Sequence, residues 1–313
     1  MNQSNTYQSK YHSTLIVVAF ITVIFIWTTT PVAIKWSGEG VSYLFGILVR
    51  MGIGAIVALI LVLLKYKTLP MSTAARKMYI ASAFGIFGGM MPAYWAAQHI
   101  SSGLISVIFG LSPMVTGYFA WRFSLEQRFS RIKILGSVTS LLGLLVIFYK
   151  GFSSDEMYVL GILVMLTAVI LHSASAVWIK SLNISMSPLS LVAGGLLFSM
   201  PLFMTVYLIF APPLVAAIPL KAIWSILYLG VVGSVIGFMS YYFLLKHLAA
   251  SSVVLITLIT PISALWLGHA VNNEDITLSV YIGTAFVLIG LLLHQGEGLL
   301  SRKIWGKRKQ YSG

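Results

Sequence analysis

The chain contains no cysteine. Disulfides, cysteine metal sites and thiol nucleophiles are therefore excluded. Acidic residues are scarce, with 7 Asp and Glu against 20 Lys and Arg in 313 residues. Charged residues make up 9% of the chain, where a soluble domain carries about 25%. No glycine-rich phosphate loop ending in Lys-Ser/Thr is present, which argues against ATP-driven work. His-Glu-x-x-His is missing, and no carboxylate pair falls in the middle of an apolar segment. These gaps disfavour an enzyme, and no cofactor or metal is expected.

What is present is apolar. Hydrophobic residues form 58% of the chain, and the mean hydropathy is +0.94. Water cannot be the solvent for most of such a surface, so lipid must be. The net charge of +13 does not point to nucleic acid, because the bases sit between apolar stretches and at the C-terminus. The basic run Arg302, Lys303, Lys307, Arg308 and Lys309 reads as a solvated cytoplasmic tail, with contact to anionic lipid headgroups as the alternative.

A spanning helix needs about 20 apolar residues. Ten segments qualify: Thr14–Trp36, Tyr43–Leu64, Met78–Ala97, Ser102–Trp121, Ile132–Tyr149, Tyr158–Lys180, Pro188–Phe210, Ala222–Leu245, Ala249–His269 and Leu278–His294. With the N-terminus placed inside, 16 bases fall on the cytoplasmic side. Only Lys35, Lys150 and Lys221 fall outside, and Arg50 lies within a helix. That asymmetry sets the orientation, with both termini cytoplasmic. The predicted fold is all-α, an integral membrane protein of ten transmembrane helices. Residues 1–13 and 295–313 are predicted tails, and 14–149 and 158–294 two five-helix units.

The two units repeat one another. One offset of 148 relates Gly85 to Gly233, Gly89 to Gly237, Tyr94 to Tyr242, His99 to His247, Pro113 to Pro261 and Glu126 to Glu274. Gly136 and Gly143 recur as Gly283 and Gly290. Val32-Ala-Ile-Lys35 recurs as Val177-Trp-Ile-Lys180 at an offset of 145. Five is odd, so the second copy must enter from the opposite face. Inverted repeats of this kind are characteristic of secondary transporters that alternate access around a midplane site. The competing reading is duplication kept for packing alone.

Several stretches carry a family likeness. They are Trp27 to Lys35 (WTTTPVAIK), Arg50, Ser101-Ser-Gly through Pro113, and Glu126-Gln-Arg128 with the glycine-spaced fifth helix. The second half repeats them in Ala249 through Pro261, Glu274, Gly283 and Gly290. In these the chain resembles the ten-helix drug/metabolite transporter superfamily, in its EamA-type permease branch. The resemblance implies a central cavity lined mainly by helices one, three, four, six, eight and nine. It also implies export of small metabolites or drugs from the cytoplasm across the inner membrane. The sequence departs from the pattern at Ala250, where the first copy has Ser102, and at Val271-Asn-Asn273 before Glu274.

Ionisable groups inside a membrane are costly and need an account. Arg50 reads as a helix-packing contact to backbone carbonyls, with a counter-charge for a substrate carboxylate or phosphate as the alternative. His172, near the middle of the sixth segment, is either a substrate or proton site or a hydrogen-bonded structural histidine. Trp27, Tyr94 and Tyr242 are candidates to line a cavity, against a role as interfacial anchors. Thr28, Ser112, Ser175 and Thr260 add hydroxyls that also suit helix packing. Pro31, Pro113 and Pro261 are candidate kinks or gates, each freeing a carbonyl. Glu126 and Glu274 are expected to cap the following helix or pair with nearby bases such as Arg128. No acid sits at the midplane, so neutral, zwitterionic or anionic cargo is expected over lipophilic cations. A small-molecule substrate and membrane lipid are thus the expected partners, and a homodimer is compatible with the sequence. A multidrug permease and a channel-like facilitator stand as alternatives. Proton antiport, another ion gradient and facilitated diffusion all remain open as energy sources.

Overall fold

A computed structural model describes residues 3–123, 125, 130–151, 156–210, 217–247 and 250–310. Side chains are described within 14–123, 125, 130–147, 156–210, 217–241, 243–244 and 256–294. Glu126 lies outside the described residues, as does the side chain of Tyr242. All regular structure among the described residues is helical. In order these are α1 (Gln3–Trp36), α2 (Tyr43–Tyr66), α3 (Thr73–Ala96), α4 (Ser102–Phe109), α5 (Ser112–Arg122), α6 (Arg131–Gly151) and α7 (Glu156–Ser181). There follow α8 (Pro188–Phe210), α9 (Leu220–Tyr228), a π-helical stretch (Leu229–Ile236), α10 (Gly237–His247), α11 (Ala250–Asn272) and α12 (Leu278–Gln310). Helical structure begins at Gln3 in α1 and runs to Gln310 in α12.

Six stretches are long and apolar enough to cross a membrane: Thr14–Trp36, Tyr43–Tyr66, Ser102–Arg122, Glu156–Ser181, Pro188–Phe210 and Leu220–Tyr241. Ile256–Asn272 and Leu278–His294 are shorter apolar helices. The outward faces carry Val17, Ile21, Phe25, Ile56, Leu64, Leu208, Trp224 and Leu292, all exposed. Water would not tolerate so continuous an apolar surface, and lipid does. The chain is a multi-pass membrane protein.

Local chemistry sets the helix ends. Ser42, Ser72 and Ser101 each cap the helix that follows, their hydroxyls accepting from Leu44, Ala75 and Leu104 amides at 3.2–3.3 Å. The segment predicted as one helix from Ser102 to Trp121 is interrupted at Gly110 and Leu111. Pro113 cannot donate to the Phe109 carbonyl, and the Ser112 hydroxyl takes that carbonyl instead, at 2.6 Å. Pro113 therefore lies in the first turn of α5 and not in mid-helix. Pro261 does lie inside α11, and its ring faces Gly110, where an added Cβ would stand 3.4 Å from Cγ. The segment predicted over Ala222–Leu245 is also not one regular α-helix, because the π-helical stretch divides it.

Glycines bring helices into backbone contact. A Cβ on Gly136 would stand 2.5 Å from the Gly290 carbonyl oxygen, and one on Gly143 2.5 Å from that of Gly283. Between these contacts the Ser140 hydroxyl donates to the Val287 carbonyl at 3.0 Å. Residue numbers rise along α6 as they fall along α12, so the two helices are antiparallel. The same reversal holds for α2 against α8, where Gly52 meets Met200 and Gly54 meets Leu196. It holds again for α4 against α11, where Gly103 meets Leu265 and Gly110 meets Pro261. Elsewhere α3 packs on α7 and α8, while α1 and α2 pack on the segment from α9 to α10.

Candidate functional site

Arg50 sits in α2 and is only 3% exposed. Its Nε donates to the Ser234 hydroxyl at 3.3 Å, and its Nη1 to the Tyr94 hydroxyl at 3.2 Å. The Tyr94 ring centroid lies 5.7 Å from the guanidinium carbon. These partners are hydroxyls, not the backbone carbonyls that the packing role of this arginine predicts. Neither carries a charge. Among the described residues no carboxylate forms an ion pair with Arg50. A cation held this deep without a counter-charge is expensive.

The π-helical stretch delivers Ser234 to Arg50. Its wider turns let the Ser234 hydroxyl donate to the Leu229 carbonyl, five residues back, at 2.9 Å while accepting from the arginine. Gly230 lies against the Arg50 backbone and Ile53. Gly233 faces Nη2: a Cβ there would stand 3.6 Å from Nη2 and 3.9 Å from the Thr30 hydroxyl oxygen. Thr29 and Tyr228 share a hydroxyl–hydroxyl bond of 2.5 Å. Ser234, Tyr228 and Thr30 are missed by sequence reasoning. The Gly230-Val-Val-Gly233 spacing is the one local signal that a neighbour comes close there.

A cavity of about 800 Å³ lies beside this group. Its walls come from the end of α1, the start of α2, the end of α3, Phe210 of α8 and the segment after α11. Tyr94 belongs both to the wall and to the Arg50 cluster, and so links them. The volume falls within the range of about 300–1,000 Å³ usual for small-molecule sites. The wall mixes apolar Ile34, Leu44 and Phe210 with polar Tyr43, Gln98 and Asn272.

Lys35 and Glu274 form the rim. They make an ion pair of 3.3 Å, with side chains 28% and 11% exposed. The other carboxylate oxygen accepts from both the amide and the hydroxyl of Ser102, each at 2.8 Å. Glu274 therefore caps α4, in the other half of the chain, and not the helix that follows it. Asn272 donates to Glu274 at 3.3 Å and accepts from the Trp36 indole at 2.6 Å. Burial alone raises the Glu274 carboxyl, but the two Ser102 donors, Lys35 and Asn272 outweigh it and bring its pKa below the ordinary value. Gly268 must be bare, because a Cβ there would stand 2.6 Å from the Ser102 hydroxyl. The rim thus ties α1, α4 and the end of α11 together.

Among the described residues, none of the remaining candidates hydrogen-bonds with Arg50 or Tyr94. Trp27 packs on Tyr241 of α10, ring centroids 4.9 Å apart. The Thr28 hydroxyl is buried and has no hydrogen-bond partner among the described residues. Ser175 donates to the Ala81 carbonyl at 2.7 Å, a bond that fastens α7 to α3. Thr260 donates to Ile256 within its own helix at 2.9 Å. His172 packs on Gly89, where a Cβ would stand 3.3 Å from its own Cβ, and its ring lies 5.2 Å from Phe109. Pro31 lies inside α1.

Positions related by the repeat are not equally packed. Gly85 and Ser175 are the counterparts of Gly233 and Thr30 under the two offsets. Gly85 and Ser175 are in closest contact, leaving no room for a Cβ. Gly233 and Thr30 leave room for one beside the guanidinium. One copy of the contact is shut and the other open.

Comparison with known proteins identifies the family. The EamA-like transporter family matches the chain twice, over residues 14–149 and 159–294. The chain is 25% identical over 281 residues to the uncharacterized transporter YoaV of Bacillus subtilis, covering 89% of this chain and 96% of that one. It is 26% identical over 284 residues to an uncharacterized transporter of Archaeoglobus fulgidus, covering 88% and 97%. A probable terminal-alkyne amino-acid exporter of Streptantibioticus cattleyicolor is 25% identical over 245 residues, covering 74% and 75%. A solved crystal structure superposes with a TM-score of 0.61 at 17% identity, covering 89% of this chain and 96% of that one, a likeness of fold alone.

Proposed function

The chain belongs to the EamA-like transporter family, and from that premise we propose that it is a secondary transporter exporting small metabolites by alternating access. The cargo is of the amino-acid class or a related neutral, zwitterionic or anionic compound. The location is the inner membrane, with both termini cytoplasmic and ten spanning segments in two inverted halves.

The observation that carries this reading is the cavity of about 800 Å³, bounded by both halves of the chain and reaching Tyr94 beside a buried cation. Antiparallel packing of counterpart helices supports the inversion. A helix that pairs with its own counterpart in reverse needs a two-fold axis lying across the helices, in the plane of the membrane. The unequal Gly85–Ser175 and Gly233–Thr30 contacts support alternation, since inverted copies exchange their open and shut states. Lys35 and Glu274 fall on the predicted outer side, so the cavity corresponds to an outward-facing state. The amino-acid cargo draws support from the amino-acid exporter among the relatives.

The test is metabolite profiling of medium and cytoplasm separately, in cells overexpressing the protein and in vector controls. Export predicts one or a few compounds enriched in the medium and depleted inside. Purified protein in liposomes should then show saturable counterflow of that compound. Flux that neither saturates nor exchanges would indicate a channel.

A further inference from the structure

We propose that Arg50, Tyr94 and Ser234 form an oxyanion site, and that the transported compound carries a carboxylate bound there. The proposal rests on the transporter reading above and adds the chemical group that the cargo must bear. Arg50 is a permanent cation, 3% exposed, whose described acceptors are two neutral hydroxyls. Those bonds occupy Nε and Nη1, and they turn the guanidinium plane into a fixed position. Nη2 donates to no described residue. Beside it Gly233 offers a bare backbone, with room for a carbon atom between Nη2 and the Thr30 hydroxyl.

A guanidinium is planar, and its parallel donors match the two oxygens of a carboxylate. In a low-dielectric interior the incoming anion also supplies the charge that the protein withholds. Binding the anion is therefore worth most while the site is shut from water. The cavity reaches this cluster at Tyr94, which lines its wall and whose hydroxyl oxygen accepts from Arg50 Nη1. The π-helical turn that sets Ser234 has no counterpart in α3, which is a regular α-helix. The second half is thus the one adapted to hold the arginine.

Two measurements separate this proposal from the transport reading. The first is thermal unfolding of the purified full chain in detergent, with each of the common amino acids, their α-amides, the matching 2-oxo acids, and inorganic phosphate. A carboxylate site predicts stabilisation by at least one free acid and not by its amide. Amino acids and 2-oxo acids distinguish a zwitterion from a simple anion, and phosphate tests a different oxyanion. Arg50→Gln should abolish the shift. Should that variant fail to fold, Gly233→Ala provides a milder test, because its methyl fits without a clash and fills the space beside Nη2. It should raise the concentration needed for half the shift at least tenfold. Equal stabilisation by acid and amide, phosphate as the preferred ligand, or no shift with any probe would overturn the carboxylate assignment, whatever the export assay shows. The second measurement is the export profile itself. If wild type exports a compound without an acidic group, transport stands and the oxyanion site falls. If nothing is exported yet free acids bind in an Arg50-dependent way, the site stands and the export reading falls.

Discussion

Replacing one glycine of the α6–α12 seam should separate two helices that touch along their backbones. A Cβ at Gly143 would lie 2.5 Å from the Gly283 carbonyl oxygen, and the reciprocal Cβ at Gly283 2.5 Å from that of Gly143. Carbon-to-oxygen contacts between helices settle near 3.3–3.6 Å. The seam must therefore open by about 1 Å, since the obstacle is backbone and no rotamer relieves it. Opening also stretches the bond from Ser140 to the Val287 carbonyl, now 3.0 Å. Overpacking of this kind costs about 1–3 kcal/mol, a factor of about 5–150 in the unfolding equilibrium. Gly143→Ala and Gly283→Ala should both destabilise, the first also meeting the Phe286 Cβ at 2.7 Å and the second the Ile147 Cγ1 at 2.5 Å. The double variant should cost less than the sum, since one separation accommodates both methyls. The assay is unfolding of purified protein in mixed micelles with increasing denaturing detergent. Neutral single variants, or strictly additive doubles, would refute the antiparallel backbone contact.

The Glu274 carboxyl is held below its ordinary pKa of 4.5. Its contribution is complete above that value and fades as pH falls through it toward the lower folded value. Wild type should thus lose thermal stability on acidification, and Glu274→Gln should be less stable near neutrality by about 1–3 kcal/mol with a flatter acid limb. Lys221 and Glu39 form an ion pair of 2.9 Å with side chains 47% and 46% exposed. Lys221→Met should change stability by roughly 0–1 kcal/mol, read from the same unfolding curves. His172→Phe should preserve export between about pH 6 and 8, because the ring serves as packing against Gly89 and Phe109. A pH optimum that disappears in this variant would instead assign the histidine to proton coupling.

Helical segments were legible because lipid enforces long apolar runs, and the glycine pairs of the fifth segments were legible as a repeat but not as the seam they form. What local sequence could not give were bonds made across hundreds of residues. Ser234 reaches Arg50 from 184 positions away. Ser102 and Glu274 stand 172 positions apart, so the helix that the carboxylate caps was invisible. The break at Pro113 depended on a neighbouring hydroxyl, that of Ser112, taking the carbonyl that proline freed. The π-helical turns bring Gly230 against Ile53 and the Arg50 backbone, partners from the other half of the chain. Both features read as continuous helix from hydropathy, because neither changes the apolar character of its segment. Trp27 and Ser175 were recognised as polar or aromatic positions in helices, but the partners that commit them, Tyr241 and the Ala81 carbonyl, are tertiary.

Alternating access requires that the space beside Arg50 open to each face of the membrane in turn. The chain has no native cysteine, so Thr30→Cys provides a single reporter in that space. Membrane-impermeant thiol reagents should label it in intact cells and also in inverted vesicles, with the exported compound altering the balance between the two. Labelling from one face alone, under every condition and with the protein active, would contradict alternating access.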